Sequence, residues 1–402
     1  GMFMVGRVFA SGARLYAAAF PLTVILFGTF APPASAVIAA IAILATISVL
    51  YCFVGGIKSI IWTDVIQSVV FLGAAVAAIV VLLHRIPLGP GDIVQTLAAE
   101  QTAGGSKLTL LSFSIDLTKT YTLFTAVFGF SLFMTAAYGT DQDLVQRMLT
   151  CRSAVKGSQS VVSAVAISVP VVLLFSVIGL LLFIFYKRAD VMGVGAPGYQ
   201  PAKADFVFTE FILREMPVGL KGLMLAGLFA ISLTSTMSAL NAMASTVVSD
   251  FYRPLLPGRG ERHYLRVGRA GVAVWGAVLA GFAALCVHWQ ASSGESIIQF
   301  ALSVMTFAYS GLLGVYFTTL LTRRGNVASC LAALATGFLV ILVLTPQVWT
   351  WWTGLNGWTK EHWQPFKLAF PWRLFIATGA ATLVCMLGSP KARSAAPPQT
   401  GP

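Results

Sequence analysis

Charge is what this sequence has least of. Only 10% of its 402 residues are charged, and just 14 are acidic. Soluble domains carry about 25% charged residues. With 57% of the chain hydrophobic, one water-surrounded core could not hide so much apolar surface. Cysteine is sparse as well. Cys52, Cys151, Cys286, Cys330 and Cys385 are scattered, with no CxxC pair, so neither a disulfide framework nor a zinc site is indicated. The four histidines are equally dispersed and no HExxH occurs, which argues against a membrane-embedded metalloprotease. No GxxxxGK[ST] motif is present, so nothing points to an ATP-driven pump. The net charge of +12 is spread over short segments rather than concentrated on one polar domain, which argues against a nucleic-acid surface.

What the sequence has instead is long apolar runs. Ten candidate spans fall at roughly 8–30, 34–54, 59–83, 119–139, 157–186, 219–246, 264–288, 295–322, 327–346 and 370–389. Runs of about 20 residues suit membrane helices, whereas barrel strands are about ten residues and alternate. Basic residues mark orientation. With the N-terminus inside, the inner segments collect Arg147, Arg152 and Lys156, then Arg253, Arg259, Arg262, Arg266 and Arg269, then Arg323 and Arg324. The outer segment 347–372 holds Trp349, Trp351, Trp352, Trp358, Trp363 and Trp372, the composition of an interfacial aromatic belt. The expectation is one all-α transmembrane domain over 1–390 in the cell (inner or plasma) membrane. Residues 391–402, rich in Ala, Pro and Ser, are expected to form a disordered cytoplasmic tail.

Three polar stretches interrupt this pattern. The first runs Gly55-Gly56-Ile57-Lys58-Ser59-Ile60-Ile61-Trp62-Thr63-Asp64 and on to Gln67. Thr63 and Asp64 read either as a helix cap or, for Asp64, as a carboxylate at the inner mouth of a cation path. The second is Gly139-Thr140-Asp141-Gln142-Asp143, where Thr140 and Asp143 have capping-box-like spacing. Just before it, Ser131, Thr135 and Tyr138 are candidate substrate-facing groups, or else packing residues. The third runs from Ile231 to Ser245 within an apolar span. At 100° per residue, Thr234, Ser238, Asn241 and Ser245 follow one face, with Ser235 beside them. One or two such hydroxyls are well explained by bonds to their own helix. A continuous stripe suits a hard cation, which prefers oxygen ligands.

Together, "GGIKSIIWTDVIQ", "GTDQDLVQRML" and "LTSTMSALNAMASTVVSDFYRP" resemble the recurring signatures of the sodium:solute symporter family, in order and separation. The resemblance covers nearly the whole chain. It implies a LeuT-like bundle of two inverted five-helix repeats plus peripheral helices. It further implies that the ten spans are core helices three to ten and two C-terminal helices of an N-terminally truncated member. In the family a sodium ion lies between core helices one and eight. The matching helix-eight positions are Thr234 and Ser235 as side-chain ligands, the Ile231 carbonyl, and Ser238 one turn along. Asp64 matches an acidic residue near the inner ion exit. Positions tied to sugar transport by the resemblance hold Ala166, Ala137 and Leu302, which argues against a sugar. The implied function is sodium-coupled symport of a small organic solute, either an amino acid such as proline or a carboxylate or vitamin-type anion. The implied partners are Na+, the solute and the lipid bilayer. The alternative is a non-transporting or sensor-type membrane domain of the same fold.

Overall fold

The computed structural model describes residues 2–54, 57–102, 105–201, 204–355 and 367–389. In chain order its helices are α1 Met2–Phe27, α2 Ala34–Val54, α3 Ile57–Arg85, α4 Pro90–Ala99, α5 Ser131–Gly139, α6 Gln142–Leu149, α7 Ala154–Lys187, α8 Ala189–Met192, α9 Val207–Glu215, α10 Val218–Thr246, α11 Arg253–Leu255, α12 Glu261–Ser293, α13 Ile297–Leu321, α14 Val327–Leu344, α15 Pro346–Leu355 and α16 Phe370–Met386. A π-helical turn, Thr125–Phe130, leads into α5, and a second, Val247–Tyr252, continues α10. Among the described residues eight helices are long and apolar enough to cross a membrane, and Thr125–Gly139 and Phe370–Met386 are shorter apolar helices. These ten coincide with the ten runs expected from sequence. Helices are the outcome because lipid offers no partner for a free N–H or C=O.

The local details differ in three places. The fourth run becomes helical only at Leu123, not near residue 119. The segment before it is fixed by polar turns, in which Asp116 Oδ1 accepts from Thr118 N at 2.9 Å and Thr125 Oγ1 accepts from Thr122 N at 2.8 Å. Asp64 is the eighth residue of α3 and so cannot cap it. Thr140 closes α5 rather than opening α6, because its hydroxyl donates back to Ala136 O at 2.7 Å. Gly55, Gly56, Trp358, Trp363 and the tail lie outside the described residues, as do the side chains of Thr63, Asp143 and Trp351.

The chain forms two compact units. One comprises residues 1–6, 113–141 and 302–402, and the other residues 7–112 and 142–301. In the larger unit α10 lies against α2, α3 and α12, and α3 also packs on α7. A buried cluster of Ala74, Ala78, Leu82, Ile178, Leu181 and Phe185 seals the contact between α3 and α7. The other side of α7, including Val162, Ile167 and Val172, is exposed, as a lipid-facing helix requires. Polar contacts tie the helix ends. Tyr186 and Tyr199 share a hydroxyl hydrogen bond at 3.1 Å, and Tyr199 donates to Glu215 Oε1 at 3.0 Å. Burial pushes the Tyr199 phenol up to about 12, so it remains a donor at neutral pH. Arg85 at the end of α3 pairs with Glu215 just before α10, at 3.6 Å, so the two helices run antiparallel.

The smaller unit is held by close backbone approach. Lipid tails are as apolar as leucine, so helix association there depends on packing, and small residues permit it. A Cβ added to Gly337 of α14 would lie 2.5 Å from Gly311 N of α13, and one on Gly311 would lie 2.8 Å from Leu334 Cα. By contrast, Gly281 of α12 has nothing within 4 Å of such an atom. Gly337→Leu is therefore expected to destabilise the protein by about 1–3 kcal/mol or more, the range for overpacking, while Gly281→Leu stays near wild type. Thermal unfolding in detergent measures both, and equal midpoints would refute glycine-limited packing.

Candidate functional site

α10 has helical backbone through its polar face, and Thr234 lies in the middle of it. Thr234 is 6% exposed. Its hydroxyl donates to Ala230 O and Ile231 O, both at 3.1 Å. That engages its single proton and leaves oxygen lone pairs for a further interaction. Neighbouring hydroxyls follow the same rule. Ser232 donates to Leu228 O at 2.9 Å, Thr236 to Ser232 O at 3.1 Å, and Ser245 to Ala242 O at 2.9 Å. Ser235 differs: it is half-buried and its hydroxyl has no hydrogen-bond partner among the described residues. Ser238 and Asn241 are half-buried one and two turns along, and Ser245 is exposed at the stripe's end.

The structure thus brings Ile231, Thr234 and Ser235 together in one helical turn, with the Ile231 carbonyl already touching the Thr234 hydroxyl. Because that carbonyl is also within α10, a cation there would meet a helix whose own hydrogen bonds remain largely made. Ser238 sits on the same face. The flanks of the turn are fixed by neighbours. On one side Cys52 of α2 donates its thiol to Met237 O at 3.6 Å. Farther along α10, α12 comes close at Gly271, where an added Cβ would lie 3.4 Å from Ala244 Cβ.

Asp64 enters from α3. The α3–α10 register is set at Gly227, where an added Cβ would lie 3.1 Å from Phe71 Cβ and 3.2 Å from its Cα. Seven residues onward along α10 is Thr234, and seven back along antiparallel α3 is Asp64. Both are about 10.5 Å from the contact at 1.5 Å per residue, so Asp64 is level with Thr234. Its residue is half-buried and Oδ1 is shielded from solvent. Sequence reasoning passed over Gln67, one turn away, whose Oε1 is buried without a partner among the described residues. The available signal was its spacing of three from Asp64, which puts both on one helix face.

Ser131, Thr135 and Tyr138 lie along one face of α5, in the smaller unit. Ser131 is exposed and donates to Val127 O, and Thr135 donates to Ser131 O at 2.8 Å. Tyr138 is half-buried. Among the described residues no group of three or more His, Cys, Asp or Glu could hold a metal ion. A site on α10 would rest on hydroxyl and carbonyl oxygens, with at most one carboxylate, a donor set suited to a monovalent hard cation.

Comparison with known proteins supplies the family. Human sodium-coupled monocarboxylate transporter 1 is 27% identical over 346 residues, covering 85% of this chain and 53% of its own. The human sodium/iodide cotransporter is 29% identical over 304 residues, covering 73% and 44%. The chain therefore spans about half the length of the curated relatives it matches. Among solved structures, a Na+-coupled sialic acid symporter in a substrate-bound outward-open state superposes with a TM-score of 0.69 at 21% identity, over 95% of this chain and 73% of that one. That likeness establishes the LeuT-like helical fold of a multi-pass membrane protein. A model of the sodium:solute symporter family matches residues 22–337, and the chain belongs to that family.

Proposed function

We propose that this chain forms the helical body of a sodium-coupled symporter that takes up a small organic solute by alternating access. The carrying observation is the turn Ile231–Ser235, where an engaged threonine hydroxyl, an unengaged serine hydroxyl and a backbone carbonyl converge on one face of a buried helix. In this reading Thr234, Ser235 and the Ile231 carbonyl form one wall of a sodium site, with Ser238 extending it. Asp64, level with that turn, supplies the negative charge that draws the ion toward the inner exit. Ser131, Thr135 and Tyr138 are assigned to the solute path.

The energetics are adequate. One sodium entering across 100 mV supplies about 2.3 kcal/mol, and each tenfold sodium gradient adds about 1.4 kcal/mol. Together they concentrate a neutral solute by orders of magnitude. A carboxylate carried with one sodium, by contrast, moves no net charge and draws on the sodium gradient alone, unless a second sodium accompanies it. For the solute, a carboxylate ranks ahead of an amino acid. Two of the matched proteins are named for carboxylic acids, monocarboxylates and sialic acid, and the third for an inorganic anion. A net charge of +12 is compatible with anion entry.

Two outcomes test the ion site in cells expressing the protein. A ligand hydroxyl acting on a cation compares with a hydrogen bond to a charged group, about 1.5–3 kcal/mol. Losing two, in Thr234→Ala/Ser235→Ala, should raise the sodium concentration for half-maximal uptake by about tenfold or more. Unchanged sodium dependence would sink the assignment. Asp64→Asn should also weaken sodium dependence, with Asp64→Glu retaining more of it; equal behaviour of the two variants would remove Asp64 from the ion path. A panel of short monocarboxylates, proline and a hexose, each with sodium and with potassium, addresses the solute, and uptake of the hexose alone would overturn the carboxylate reading.

A further inference from the structure

The segment joining α10 to α12 has a density of arginine that the transport reading does not use. Arg253, Arg259, Arg262, Arg266 and Arg269 fall within seventeen positions that contain one acid, Glu261. Glu261 is paired with Arg253, so its charge is already answered. Arg259, Arg262, Arg266 and Arg269 are exposed and make no ion pair among the described residues. On α12, Arg262, Arg266 and Arg269 are spaced i, i+4, i+7 and lie on one face. The next acid along the chain toward α10 is Asp250, whose Oδ1 already accepts from Ser249 Oγ at 2.7 Å.

This patch is built rather than loose. The Tyr264 hydroxyl donates to Leu256 O at 2.9 Å and accepts from Arg259 N at 3.3 Å, which pins the connecting loop against the first turn of α12. A second tie joins Tyr252 Oη and His263 Nε2 at 2.9 Å. The Arg259 backbone is therefore held beside the helical arginines.

Depth identifies the partner. Residues 270–289, directly after Arg269, are apolar except for His288. Twenty such residues span the hydrocarbon of a bilayer, so the arginine face stands at its edge. Leu255 and Leu265 are 76% and 58% exposed beside it. A surface with guanidinium groups and exposed leucines at that depth matches a molecule with phosphate above and hydrocarbon below. Guanidinium forks bind phosphate oxygens in pairs, and clustered basic residues next to a membrane helix attract anionic lipid.

We infer that Arg259, Arg262, Arg266 and Arg269 form a binding site for the headgroup of an anionic phospholipid, separate from the α10 turn. The test uses the purified full chain in neutral detergent, titrated with dioctanoyl phosphatidylglycerol, dioctanoyl phosphatidylcholine or inorganic phosphate. Phosphatidylglycerol should bind at least about tenfold more tightly than the other two. At about 1 kcal/mol per basic residue near the surface, Arg266→Gln should cost about fivefold, and the Arg262/Arg266/Arg269 triple glutamine variant at least about tenfold. If the triple variant is not monodisperse, the single variant decides. Equal binding of the two lipids, or unchanged phosphatidylglycerol affinity in the variants, would overturn the site. Phosphate binding as tightly as phosphatidylglycerol would overturn the lipid as its occupant.

Discussion

Every backbone N–H and C=O buried in hydrocarbon must be satisfied within its own segment, and the polar chemistry of this chain is arranged around that constraint. Because the helices are self-sufficient, side-chain hydroxyls on them return their protons to carbonyls three or four residues earlier, as Thr234, Ser232 and Thr236 do on α10. A hydroxyl bonded in that way costs the fold little and still presents an oxygen outward. The same arrangement that makes a threonine tolerable in a membrane helix therefore leaves it able to accept a cation. Ser235, without a hydrogen-bond partner among the described residues, goes one step further.

Packing then decides where that oxygen stands. α10 is buried because α2, α3 and α12 surround it, and its register against α3 follows from the approach at Gly227 and the ion pair between Arg85 and Glu215. The ion pair gives the antiparallel direction and the Gly227 approach gives the register, and together they put Asp64 and Thr234 at about one level. A shift of one helical turn at Gly227 would move the carboxylate about 5.4 Å from that level. The level of Asp64 against Thr234, on which the proposed ion path rests, thus depends on a glycine seven residues away from that threonine.

Much of this was legible in the sequence. The ten apolar runs matched ten helices because about 20 apolar residues have few alternatives to spanning lipid. The stripe at Thr234, Ser235 and Ser238 was legible because helical periodicity alone puts those positions side by side. Other features were not. Asp64 looked like a cap because Gly55 and Gly56 signalled a turn, yet α3 begins at Ile57 and carries Asp64 into its third turn. Thr140 looked like the start of a capping box, but its hydroxyl found Ala136 O first. The close contact of Gly311 with Gly337 depends on which helices meet, and no local pattern encodes that. Gln67 was missed because an amide in a polar stretch attracts notice only once its oxygen is seen to be buried.

The central claim is that one turn of α10 binds sodium, and hydrogen exchange across that turn tests it most directly. Amide exchange in the purified protein would be followed in sodium and in potassium at equal ionic strength. Sodium should slow exchange in peptides covering 230–240 and leave α14 unchanged, because a ligand that binds the folded turn suppresses its local opening. Identical exchange of that turn in the two salts would contradict the account.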